Sequence, residues 1–300
     1  MKSFIITYLE IMLETKSEAT VRGHKSSLNT FANFVNVEEP IEVLVKDVVK
    51  FRNELYKEKK VGTVNTMLKR VKLFLEWCEQ NKLVDVSPAK EVKLLTEAEA
   101  LPKWLDEKQE DLLVRSVRSM YLGKSTLKKS YRELLIVSLM LKAGLRVGEV
   151  TGLKWDEIQL INGKGKMLVR GKGQQQRTVN IIPELAELIL QYKEHHGVKG
   201  EHVLYSQMSD SISERMIQTL LKEFEGVSSK GVVISEIHPH LLRHTFAHNL
   251  ATSGVALESI ARVLGHMKKS GEPNIAMTIR YTKASEDEIG DEMERALQTR

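Results

Sequence analysis

The sequence predicts a mainly α-helical protein of two domains, with a small antiparallel sheet set into the second. Three observations carry that prediction. Apolar residues recur at helical spacing through residues 1–95 and again beyond residue 107. The rhythm breaks at Leu-Thr-Glu-Ala-Glu-Ala-Leu-Pro-Lys-Trp-Leu-Asp-Glu, residues 95–107, where Pro102 interrupts it. Residues 157–182 then change to short β-prone runs separated by glycine-bearing turns. A chain of 300 residues also exceeds the usual size of one compact core, so two domains are expected. The boundaries are placed at 1–95, a linker at 96–107, and 108–300.

In the first domain Phe4, Ile5, Tyr8, Leu9 and Met12 define one helix. Glu10 and Glu14 interrupt its apolar start, which marks an amphipathic helix and not a signal peptide. Ser17 can cap a second helix carrying Val21, Leu28, Phe31 and Phe34. A third runs through Val45, Val48, Val49, Phe51 and Leu55. A fourth follows Thr63 with Val64, Met67, Val71, Leu73, Phe74 and Trp77. Four such helices make a small all-α domain. The basic clusters Lys57-Glu58-Lys59-Lys60 and Lys69-Arg70-Val71-Lys72 fit either a solvated helix surface or a phosphate-tracking face.

In the second domain Tyr131–Leu141 is strongly apolar and predicts a buried helix ending at Gly144. Ile158-Gln159-Leu160, Met167-Leu168-Val169 and Thr178-Val179-Asn180-Ile181 predict a three-stranded antiparallel sheet. Asn162-Gly163 and Gly171-Lys172-Gly173 supply its turns. Helices are expected at Pro183–Tyr192, Ser213–Glu225, Pro239–Ser253 and Leu257–Leu264. The tail, Glu286–Leu297, reads as an amphipathic helix with Ile289, Met293 and Leu297 in a stripe.

The composition, 42% hydrophobic and 28% charged, belongs to a folded soluble chain and excludes a disordered one. A net charge of +5 permits a nucleic-acid partner without requiring one. Cys78 is the only cysteine, so an intrachain disulfide and a multi-cysteine zinc site are both excluded. Its neighbours Phe74, Leu75 and Trp77 mark it as a core thiol. No apolar run approaches the roughly 20 residues that span a bilayer. A cytoplasmic setting without membrane contact is expected.

Several residues carry candidate chemistry. Arg146 follows a buried helix and a glycine turn. It could pair structurally with Glu149 or Asp156, or aim its planar donors at a phosphate. His240 and Arg243 stand three apart behind Pro239, near a helix N-terminus that favours an anion. His240, His244 and His248 at spacing four could in principle hold zinc. The segment lacks the glutamate of a helical metalloprotease pair, and Arg243 opposes a cation, so no metal is expected. His244 and His248 are read as packing residues or as supports behind the residues of the site. Lys172, at a hairpin tip, is either simply exposed or a proton donor to a leaving oxygen. His266 follows Leu264-Gly265 at a helix end and could equally serve as a C-terminal cap.

Taken in order, Ala143-Gly144-Leu145-Arg146-Val147-Gly148-Glu149 with Leu153-Lys154-Trp155, Gly171-Lys172-Gly173, His240-Leu241-Leu242-Arg243-His244-Thr245-Phe246-Ala247, Leu264-Gly265-His266 and Tyr281 carry a resemblance over most of the chain. It resembles a tyrosine recombinase of the phage integrase family, which includes Xer-type recombinases and transposon resolvases. The resemblance implies a core-binding domain and a catalytic domain that clamp double-stranded DNA. It implies site-specific recombination through a 3′-phosphotyrosyl intermediate, for integration, excision or resolution, without cofactor, ATP or metal. Arg146 and Arg243 would hold the non-bridging phosphate oxygens and Tyr281 would attack in line. His240 would act as acid or base, and Lys172 would protonate the leaving 5′ oxygen. His266 would hydrogen-bond the phosphate or orient Tyr281. A homotetramer on DNA is implied, with the C-terminal helix docked on a neighbour or, alternatively, packed on its own domain. Met267–Asn274 departs from the family pattern as an insertion, and Gly271 and Pro273 predict a flexible loop there. Two other readings share these residues: type IB topoisomerase relaxation, and DNA binding without catalysis.

Overall fold

The computed structural model describes residues 1–97, 103–119, 127–171, 176–206, 208–268 and 270–279. The chain divides into two compact units, Met1–Ala100 and Leu101–Arg300, and each holds its own apolar core.

The first unit contains α1 (Lys2–Leu13), α2 (Glu18–Val35), α3 (Val45–Glu58) and α4 (Val61–Gln80). Each presents its periodic apolar residues inward: Ile5 and Tyr8, Leu28 and Phe31, Val48 and Phe51, Leu68, Phe74 and Leu75 are buried. Tyr8 meets Phe74 edge-on at 5.5 Å between ring centroids. Ser17 stands at the N-cap of α2, but its hydroxyl bonds the Thr20 hydroxyl at 3.0 Å and not a backbone amide. α4 begins at Val61, before Thr63, and Leu73 points to solvent. Cys78 is fully buried, and burial pushes its thiol up to about 12.

The two basic clusters of this unit divide by role. Arg70 donates to the Gly23 carbonyl at 2.9 Å and to the Ser27 hydroxyl at 3.0 Å. Lys72 donates to the Val92 carbonyl at 2.9 Å. Those cations hold backbone together, whereas Lys59, Lys60 and Lys69 are exposed. Asn65 grips both backbone groups of Leu95 at 2.9 Å, which fastens the end of the unit to α4.

The second unit opens with α5 (Glu107–Ser119) and α6 (Leu127–Ala143). Residues ahead of α5 already belong to this unit's packing: Leu105 is buried and its amide donates to Thr245 Oγ1 at 2.9 Å. α6 is the core helix and ends where Gly144 takes φ 63°. A short helix α7 (Val147–Gly152) leads to β1 (Ile158–Ile161), β2 (Lys164–Arg170) and β3 (Gln176–Ile181). These pair antiparallel in the order β1-β2-β3. Asn162 and Gly163, at φ 50° and 75°, form the tight turn between β1 and β2 that both residue types favour. Met167, Val169, Val179 and Ile181 bury one face of the sheet.

The chain continues through α8 (Pro183–His196), α9 (Glu214–Lys222) and a short hairpin of β4 (Ser228–Ser229) with β5 (Val232–Val233), which sequence periodicity does not announce. It closes with α10 (Pro239–Thr252), α11 (Leu257–Leu264) and α12 (Ile275–Thr278). Among the described residues no helix is long and apolar enough to cross a membrane.

Candidate active site

The site forms where the ends of α6, α7, α10 and α11 meet beside β3. Gly144 ends α6, and two residues later Arg146 takes the N-cap of α7. Glu149, three residues on, reaches back so that Oε2 accepts the Arg146 amide at 2.7 Å and Oε1 accepts Arg146 Nη1 at 2.8 Å. The structural pairing open to Arg146 from sequence is thus made with Glu149. Arg146 nevertheless keeps 35% of its side chain exposed, while Glu149 keeps 4%.

Arg243, from the first turns of α10, lies beneath. It is 2% exposed and donates to the Gly144 and Leu264 carbonyls at the ends of α6 and α11. A cation at two helix C-termini is favoured by both the unpaired carbonyls and the helix dipoles. Arg243 Nη1 also stands 3.7 Å from Glu149 Oε2.

His240 lies one turn before Arg243 and is exposed. The N-cap of its helix is made by His238, whose Nδ1 accepts the Leu241 amide at 3.1 Å. Partial desolvation, then the charges of His238, Arg243 and Arg146, hold the His240 imidazole below its ordinary range. Burial, then the neighbouring His240, lowers His244 to about 4. The three histidines of α10 part company in space. His240 and His244 have ring centroids 6.3 Å apart, and His248 stacks on Trp104 at 3.9 Å.

His266 follows Gly265, whose φ of 66° ends α11. The His266 amide closes that end on the Ala261 carbonyl at 2.8 Å. Its ring does more. Nε2 lies 3.4 Å from Arg243 Nη2, and Nδ1 lies 3.1 Å from the Thr278 hydroxyl. That hydroxyl donates to the Asn274 carbonyl at 3.2 Å, which leaves it to accept from Nδ1–H. Nε2 is then the acceptor facing Arg243. Burial, then Arg243, lowers His266 to about 3, so the ring is neutral in ordinary conditions.

The insertion before α12 closes on itself. Lys268 N–H donates to the Glu272 carbonyl at 2.8 Å, and Asn274 N–H returns to the His266 carbonyl at 2.7 Å. Gly271 takes φ 83° at the turn the sequence marked as flexible. Asn274 then caps α12 through Met277 N–H at 3.3 Å.

The structure therefore brings Arg146, His240, Arg243 and His266 together. Lys172 and Tyr281 lie outside the described residues, as do residues 173–175 of the β2–β3 turn and the predicted tail helix Glu286–Leu297. Sequence reasoning missed Arg177. Its Nη1 and Nη2 bind the two Glu149 oxygens at 2.7 and 2.9 Å, and its Nε donates to the Val263 carbonyl at 2.6 Å. One sequence feature pointed to it: Arg177 shares the inward alternation of Val179 and Ile181 on β3, a cation on an apolar face. Burial raises the Glu149 carboxyl, but the bonds and charge of Arg177, the Arg146 amide and Arg243 outweigh that and hold it at about 2. Three guanidiniums against one carboxylate leave a net charge of +2 on the cluster. Such a site suits a phosphate, with imidazoles present in their neutral form.

Relatives and solved structures place the chain in a family. Residues 103–288 match the phage integrase family. The chain is 28% identical to tyrosine recombinase XerC of Bacillus pumilus, over 95% of this chain and 92% of the relative. It is 25% identical to a tyrosine recombinase of Agathobacter rectalis, over 89% of each. In fold it is similar to XerH recombinase bound to a palindromic difH substrate in a post-cleavage complex, with TM-score 0.74 and 17% identity over 92% of this chain and 79% of that one. It is similar also to a lambda integrase dimer bound to a COC′ core site, with TM-score 0.73 and 14% identity over 94% of each chain. The match spans more than half of the chain and includes each of the four clustered residues, so this protein is a tyrosine recombinase and belongs to the phage integrase family.

Proposed function

We propose that this chain cuts and rejoins duplex DNA at a specific site through a 3′-phosphotyrosyl link on Tyr281. The observation that carries the reading is the convergence of Arg146, Arg243, His240 and His266 on a cluster of net positive charge. Arg146 and Arg243 take the non-bridging oxygens of the scissile phosphate and offset the charge that grows on pentacoordinate phosphorus. Tyr281 attacks in line. Its phenol, with a pKa of about 10, loses its proton to His240, whose lowered pKa keeps it available as a base. The P–O5′ bond breaks and Lys172 gives the leaving oxygen its proton. His266, bonded to Thr278 three residues before Tyr281, orients the turn that delivers the nucleophile. A 5′-hydroxyl from a partner duplex then attacks the phosphotyrosine and restores Tyr281. Each step exchanges one phosphodiester bond for another, so the bond energy is retained and no ATP is consumed.

Each protomer offers one nucleophilic tyrosine and cuts one strand, so exchange between duplexes calls for a homotetramer on DNA. Residues 1–95 supply the core-binding domain and the segment from 108 the catalytic domain. Ile289, Met293 and Leu297 support docking of the tail on a neighbouring protomer. The lone, inert Cys78 and a DNA substrate support a cytoplasmic setting. A nicked suicide duplex tests the chemistry. Wild type traps a covalent 3′ adduct and Tyr281→Phe binds without trapping; adduct persisting in the variant would overturn the assignment. Deleting residues 286–300 should leave cleavage intact and abolish synapsis of two duplexes. Recombination at the full-length rate by the truncated chain would remove the docking role.

A further inference from the structure

We infer that Arg177 is a positioning residue for phosphate capture: it occupies both oxygens of Glu149 so that Arg146 and Arg243 are held at that carboxylate without being neutralised by it. The inference deepens the recombinase reading and rests on it. Four observations support it. Arg177 makes the paired contacts with Glu149, at 2.7 and 2.9 Å, whereas Arg146 Nη1 makes one at 2.8 Å and Arg243 stands off at 3.7 Å. Both members of the Arg177–Glu149 pair are enclosed, at 11% and 4% side-chain exposure. Arg177 reaches across Gly265, where a Cβ would stand 3.1 Å from Arg177 Cδ. Its Nε holds the Val263 carbonyl in the last turn of α11, next to His266.

The physical logic is competition for one anion. A buried carboxylate left with an open oxygen draws the nearest guanidinium into a bidentate pair, because paired planar bonds are the strongest it can form. Without Arg177, that guanidinium is Arg146 or Arg243, and the donors meant for phosphate turn to Glu149. With Arg177 in place the carboxylate is saturated, and the cluster stays net positive when a phosphodiester arrives. The same side chain sets the spacing between the N-cap of α7 and the end of α11, hence between Arg146 and His266.

R177M tests this, since methionine keeps an unbranched apolar stem beside Gly265 while removing the fork. R177K keeps the charge alone. V179A, buried on the same strand, controls for lost stability. Two readouts serve. One is single-turnover cleavage, at saturating protein, of the nicked duplex that wild type selects from a pool with randomised arms. The other is thermal stabilisation by inorganic phosphate. R177M is expected to bind the duplex within about threefold of wild type and to cleave it ~100-fold more slowly. R177K should recover roughly tenfold of that loss, since charge returns without the bidentate geometry. Phosphate should stabilise wild type and V179A but not R177M. The inference is overturned if R177M cleaves at the wild-type rate, if V179A loses cleavage in step with R177M, or if phosphate stabilises R177M as it does wild type. Should R177M fail to fold, R177K carries both readouts, and wild-type behaviour in it is the overturning result. A wild type that cleaves nothing in the pool removes the recombinase reading, while the phosphate titration still decides Arg177.

Discussion

Gly144 shows how closely single residues are bound to the site. It sits at φ 63°, and a Cβ there would stand 2.3 Å from Phe246 Cδ1. Its carbonyl accepts from Arg243, so the turn that ends α6 also seats the buried guanidinium of the candidate site. Gly163 has a similar φ of 75°, but a Cβ there would meet nothing within 4 Å. The two glycines therefore separate backbone strain from crowding. Gly163→Ala should cost about 1–2 kcal/mol, the left-handed penalty alone. Gly144→Ala adds overpacking and should cost about 2–5 kcal/mol. Urea denaturation of the two variants measures the difference, and equal losses would show that Phe246 yields without cost. Gly144→Ala should also slow strand cleavage, because relief of the clash moves the carbonyl that Arg243 holds.

At the scale of elements, what the sequence disclosed follows from the range of the interactions involved. α11 and the body of α10 were legible because helical periodicity and the residues that mark their ends, Pro239 at the start of α10 and Gly265 after α11, are local features. The β1–β2 hairpin was legible because Asn162-Gly163 is matched to one turn type. β4 and β5 were not, since strands of two residues carry no period. Arg70 and Lys72 looked like parts of a solvated basic run, because their carbonyl partners at Gly23 and Val92 are distant in sequence. The insertion at Met267–Asn274 offered glycine and proline but no trace of its closure, which is made by backbone hydrogen bonds. Residues of the candidate cluster were legible where a helix end displayed them, as at Arg146, Arg243 and His266. Arg177 was hidden by its strand: it reaches Glu149 and Val263, 28 and 86 residues away, through contacts only the assembled fold creates. α10 ties these scales together. Its first turns carry His240 and Arg243, while Thr245 and His248 further along hold Leu105 and Trp104.

Across the whole molecule, the depressed histidines make stability fall as the solution is acidified. His24 in the first unit and His240, His244 and His266 in the second all have folded values below the ordinary histidine range. A histidine lowered by folding stays neutral in the native state while the unfolded chain gains a proton below about 6.5. The unfolded state then binds more protons, so stability falls as pH falls. For His244 and His266, lowered to about 4 and about 3, the loss begins near the ordinary histidine pKa and continues down to those values. Glu149, lowered to about 2, contributes stability that is intact above the ordinary carboxyl range and is lost only as pH falls through that range toward 2. The histidine window therefore opens first, and the Glu149 window overlaps its acid end. Between pH 7 and pH 5 the wild type should lose about 2–4 kcal/mol through His244 and His266, at up to ~1.4 kcal/mol per group per pH unit. Urea denaturation at constant ionic strength reads this directly. His266→Asn should be less stable at pH 7, having lost its Arg243 and Thr278 contacts, yet show a smaller drop on going to pH 5. Glu149→Gln should leave the drop between pH 7 and pH 5 unchanged and alter only the loss in the carboxyl range. A wild-type midpoint that does not move between pH 7 and pH 5 would mean that these imidazoles take up protons in the native state, and that the site beside Arg243 opens readily to water.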